Sequence, residues 1–174
     1  MISKKAVILG FVVVFVLIIL IITMGSSKTA VLYNSVTLNI PNTSDGANFR
    51  NLQFFAGTTD VTSKATMSQN GVNGQDTPFV GSNIFVFGGA AATLTATFTT
   101  PQPITSVVYT PHPSFLCRSW GMTITTKTSA NVTKTGSALH PSQCTSYSAD
   151  PVDRGDASSF HYTYTFATDT WTST

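Results

Sequence analysis

The side chains best equipped for chemistry in this sequence are its only two cysteines, Cys117 and Cys144, and the histidines that precede them, His112 by five positions and His140 by four. An even cysteine count in an exported domain reads first as one disulfide, closing a loop of about 27 residues and contributing roughly 3 to 4 kcal/mol in the chain-entropy argument. The same His112, Cys117, His140 and Cys144 also make a two-Cys, two-His set suited to tetrahedral zinc. Two free, partly buried thiols are the third option, expected if the domain folds in a reducing compartment. Pro111, Pro113 and Pro141 put both histidines on stiff loops.

Asn42 (NTS) and Asn131 (NVT) match the glycosylation sequon, and both fall in predicted loops. Lys64, Arg118 and Arg154 are available to pair with Asp residues, a buried, structurally paired Arg118 being favoured over a ligand contact, and His161 reads as an exposed strand residue. No enzyme is expected. Paired carboxylates or a positioned histidine for acid–base work, an activated nucleophile, and a glycine-rich phosphate cradle are all missing from the sequence pattern.

What must position these residues begins with Ala6 to Met24, AVILGFVVVFVLIILIITM, an uncharged apolar run. At 1.5 Å per residue it spans roughly 28 Å as a helix, against a hydrocarbon core of about 30 Å. The run is rich in β-branched residues, yet in lipid only a helix satisfies every backbone group within one segment. A transmembrane helix over 6–24 is therefore predicted. A cleaved secretory signal is the competing reading, with Gly25, Ser26 and Ser27 as small cleavage-site residues, although the run exceeds the usual apolar length of such signals. Lys4 and Lys5 precede the run and only Lys28 follows closely, so the positive-inside bias keeps the stub 1–5 inside and sends the rest across. The expected localisation is a membrane, single-pass, with the C-terminal domain outside.

Residues 27–174 suit one domain. The chain carries a formal +2, but beyond the apolar run its basic residues are balanced by seven acidic ones, all Asp. Such a domain offers no basic stripe, and no nucleic-acid partner is expected. Charged residues make up 9% of the chain, against about 25% ordinarily. Thr, Ser and Asn supply the polar surface instead, which favours strands and leaves the surface weakly protected against association.

Strands are predicted at 33–40, 51–55, 61–67 (weak), 84–87, 93–99, 104–109, 121–127 and 160–166. Thr93 to Thr99 gives the cleanest alternation, with Leu94, Ala96 and Phe98 inward and Thr outward. Pro101 and Pro103 are expected to punctuate, 129–159 to hold weak strand and long loops, and Phe160, Tyr162, Tyr164 and Phe166 to share one side of a closing strand. Short strands near ten residues apart with turn signals between them predict an all-β antiparallel jelly-roll β-sandwich.

From Asn51 onward, NLQFFAGTTDVTSKATMSQN, VNGQDTPF at 72–79, TTPQPITSVVYTP at 99–111 and CRSWGMTITTKTSANV at 117–132 come in an order that resembles the discoidin-type, galactose-binding-like domains. The resemblance implies a galactose-binding-like fold and, in the 72–79 loop, a structural calcium site for which Asn73 and Asp76 are the candidates. It also implies carbohydrate as a possible partner. Asn73 stands where the family usually has Asp, and no Trp precedes the Leu94 strand. The Thr-rich, charge-poor composition is similar to that of virion proteins. The leading expectation is thus a non-enzymatic, membrane-anchored minor capsid protein of a large icosahedral DNA virus, its partners the lipid bilayer and shell proteins, with no cofactor. A membrane-anchored, lectin-like surface module is the alternative.

Overall fold

Alternating burial builds the chain into two antiparallel sheets facing one another. The computed structural model describes residues 29–40, 48–70, 85–86, 93–111, 116–142, 144–146 and 161–173. The apolar run 6–24, Lys4, Lys5, Asn42, Asn73, Asp76, His112 and Arg154 lie outside the described residues. Among those described, no helix is long and apolar enough to cross a membrane.

The strands are β1 (Tyr33–Asn39), β2 (Asn48–Ala56), β3 (Thr59–Asp60), β4 (Ala65–Gln69), β5 (Phe85–Val86), β6 (Thr93–Gln102), β7 (Ser106–Pro111), β8 (Thr123–Thr128), β9 (Thr133–Thr135), β10 (Tyr162–Thr165) and β11 (Thr170–Ser173). The first sheet has the order β4-β6-β1-β8-β9 and the second β11-β10-β7-β2-β3, with β5 also paired to β2. All of them belong to one compact unit, Val31–Thr174.

Register explains the core. Leu38 lies opposite both Leu94 and Ile124, and Val36 opposite Ala96 and Thr126. In the second sheet Tyr109 joins Leu52 to Tyr162, and Val107 joins Phe54 to Tyr164. All of these side chains are buried. Between the sheets the Phe54 and Phe98 rings meet edge-on at 5.8 Å, a geometry the ring quadrupoles favour. Because side chains alternate along a strand, a one-residue slip would turn this whole set to water, so burial itself fixes the register.

Several predicted elements are corrected by this arrangement. Pro101 does not stop β6, which runs on to Gln102. Ladder pairing of β6 with β4 ends at Phe98, and its pairing with β1 breaks register between Tyr33 and Ser35. Pro101 therefore occupies an irregular stretch where a missing N–H is tolerated. Between β2 and β3 the chain makes a tight hairpin in which Ala56 pairs with Thr59 and Gly57 has φ 62, as a two-residue primed turn requires. The weak strand begins four residues later than expected, after a 3-10 turn over Thr62–Lys64. Nor does the strand at 160–166 close the domain, since β11 follows it.

Candidate functional site

The connection between β6 and β7 is only residues 103–105, so the Gln102 end of the first sheet and the Ser106 end of the second form one end of the sandwich. The other end holds Asn39, Thr93 and Thr123, which pair across the first sheet, and Pro111 and Tyr162, which flank it in the second.

At this second end Cys117 and Cys144 form a disulfide, with Cα atoms 5.5 Å apart and 27 positions between them in sequence. Of the three readings the residues allowed, the first is therefore found. With the sulfurs bonded to each other the two-Cys, two-His zinc set is not assembled. His140 instead stacks on Trp120, ring centroids 4.7 Å apart. Among the described residues no group of three or more His, Cys, Asp or Glu comes together.

Cys117 sits in a 3-10 turn, Leu116–Ser119, whose Leu116, Cys117 and Ser119 are buried. Ser119 donates its hydroxyl to the Leu116 carbonyl at 2.8 Å. Burial pushes the Tyr109 hydroxyl well above its ordinary range, and a hydrogen bond with Ser119 partly offsets that. Arg118 is half-buried in the same turn. His161 is a correction: it is half-buried just before β10, its Nδ1 2.8 Å from the Thr110 hydroxyl. Lys64 likewise takes a neutral partner, donating to Gln102 Oε1 at 3.2 Å.

The opposite end is closed by a polar clamp that sequence spacing did not reveal. Asp169, at φ 56 in the turn between β10 and β11, accepts the Tyr164 hydroxyl at 2.6 Å and the Ser137 amide at 2.7 Å through one oxygen. Its other oxygen lies 3.1 Å from Lys134 Nζ on β9. The hydrogen bond from Tyr164, then the Ser137 amide and Lys134, hold the Asp169 carboxyl down to about 2. Trp171 donates its indole N–H to the Ser137 carbonyl at 3.1 Å. The edge of the first sheet is thereby tied to the edge of the second. Asn131 is exposed in the β8–β9 hairpin, with φ 60.

The third feature is the outer face of the five-stranded sheet. Thr66, Thr97, Ser35, Lys127 and Thr133 stand in one row across it, and Ser68, Thr95, Thr37, Thr125 and Thr135 in the next. A third row is Thr93, Asn39 and Thr123. Rows are roughly 7 Å apart along a strand and strands about 4.8 Å apart, from strand geometry. In the second and third rows groups bond one another: Thr37 to Thr95 at 3.0 Å, Thr125 to Thr135 at 2.8 Å, and Asn39 Nδ2 to the Thr125 hydroxyl at 2.8 Å. Lys127 is the only charge in the rows. The alternation in Thr93 to Thr99 signalled one strand of this face; the lateral alignment needed the register.

Set against protein-family models, curated proteins and solved structures, the chain matches none of them.

Proposed function

We propose that this chain is a non-enzymatic structural protein, anchored in a bilayer through residues 6–24, whose β-sandwich docks on a protein shell and links it to the membrane. A minor capsid protein in a membrane-containing icosahedral virion does work of this kind. The hydroxyl face of the five-stranded sheet is the observation that carries the reading. Covering a charged surface costs several kcal/mol per unpaired ion, whereas hydroxyls already bonded to one another lose little when water is removed. Apart from Lys127, such a face can be covered by a neighbour at little desolvation cost. The buried disulfide supports passage through an oxidising compartment. The chain moves between sheets after β1, β3, β4, β5, β6, β7 and β9, which supports a jelly-roll, galactose-binding-like connectivity.

Amine-reactive cross-linking of the native membrane assembly tests the reading, because Lys127 lies within the hydroxyl rows. Cross-links from Lys127 to an abundant shell protein are expected. Cross-links confined to lipid-associated neighbours, with the face fully reactive in the assembly, would reject it.

A second reading, carbohydrate binding at the disulfide end, draws on one observation: Trp120 is half-buried there against the exposed His140. It presents an aromatic surface that spacing alone did not identify. Specific, saturable binding of the full chain on a glycan array, lost in Trp120→Ala, would favour this reading over the first.

A further inference from the structure

The end of the sandwich where the chain joins the domain carries an apolar and aromatic rim. Val31 is 52% exposed, Leu32 40% and Val132 59%, the large hydrophobic side chains left exposed among the described residues. They are neighbours through the backbone: Ser129 donates its amide to the Leu32 carbonyl at 2.8 Å, and Thr128 to the Val132 carbonyl at 2.9 Å. Beside them the Tyr33 ring lies 5.0 Å from Phe166, and Tyr164 lies 5.2 Å from both Phe166 and Trp171. Tyr33, Phe166 and Trp171 are all half-buried. Lys134 flanks the rim, its side chain 63% exposed.

We propose that this rim is a lipid-contacting surface, seated among the headgroups of the bilayer that holds residues 6–24. The inference rests on the anchored reading above and adds which end of the domain meets lipid. Single exposed hydrophobics need no explanation. Here they gather with Tyr and Trp at the point where the chain arrives from its apolar run. Only residues 25–30 separate that run from Val31, and six extended residues reach roughly 20 Å at most. Amphipathic Tyr and Trp rings with an exposed lysine beside them suit a headgroup layer. Asn131 lies beside Val132 in this rim, so the proposal takes its sequon as unmodified: a hydrophilic glycan there would hold the rim off the lipid.

The chain's two tryptophans provide the test, since Trp120 lies at the disulfide end and Trp171 at the rim. Full-length Trp120→Phe and Trp171→Phe proteins, each with one remaining Trp, are reconstituted into phosphatidylcholine–phosphatidylglycerol vesicles, floated, and titrated with headgroup spin-labelled lipid. The expected result is severalfold stronger quenching of Trp171 than of Trp120, abolished by adding Leu32→Asp and Val132→Asp, exposed changes that leave the core intact. Equal quenching, no quenching, or a glycan mass on Asn131 would overturn the proposal while leaving the anchor standing. Failure of the chain to float with vesicles would remove the anchored reading and this inference together.

Discussion

Tyr164 on β10 and Asp169 in the turn that follows it sit five residues apart, and the 2.6 Å hydrogen bond from the phenol to the carboxylate joins the buried aromatic core to a surface ion pair. Burial, and then this bond, raise the Tyr164 hydroxyl above its ordinary range, so it stays the donor. The folded-state value for Asp169 lies below its ordinary 3.8, at about 2. The stabilisation is therefore fully present above 3.8 and is lost as pH falls through about 2. Thermal melts across that window should show the wild type losing stability on acidification, and Asp169→Asn should flatten that part of the dependence. An unchanged slope in Asp169→Asn would show that the clamp does not couple to folding.

Gly136 is held close to the same pair. A Cβ at this position would meet the Tyr164 hydroxyl and ring carbon and crowd Asp169 Oδ1. Gly136→Ala should destabilise by about 1 to 3 kcal/mol, the usual cost of overpacking. In a Tyr164→Phe background the penalty should shrink, because the contacts are shared and the two changes are not additive. Urea denaturation of the four proteins completes the cycle.

Replacing Cys117 and Cys144 together by Ser should cost roughly 3 to 4 kcal/mol through the freed denatured chain. Because both cysteines are buried, dithiothreitol should reach them only slowly in the native protein. Denaturant midpoints of the oxidised, reduced and double-Ser proteins measure the effect.

Thr97→Glu places a charge in the middle of the hydroxyl rows at an exposed position. Stability should change by no more than about 0.5 kcal/mol, as for ordinary surface positions. Association with the proposed shell partner should weaken markedly, because the new charge must lose its water there. Retained co-purification of Thr97→Glu would speak against this face as the docking surface.

The sequence showed strands wherever one face is buried. Val36, Leu38, Leu94, Ala96, Phe98 and Ile124 announce β1, β6 and β8 by period-two alternation, and all six are buried as expected. β9 was legible only as weak strand somewhere within 129–159, because Thr133, Lys134 and Thr135 are all exposed and an edge strand of three residues needs no apolar partner. β11 was hidden for a similar reason, with Trp171 its only apolar side chain. The disulfide was legible from cysteine parity. The Asp169 clamp was not, because it depends on a left-handed turn residue and on two edges meeting, neither of which leaves a spacing pattern. The hydroxyl rows were visible only as excess Thr until register aligned them.

The central claim, that the hydroxyl face is covered by protein in the native assembly, is tested most directly by thiol protection at Thr97→Cys, with exposed Thr59→Cys on the other sheet as the control. A membrane-impermeant maleimide should label both in the purified protein, but only the Thr59→Cys site in the intact assembly. Equal labelling of the two sites in the assembly would contradict the account.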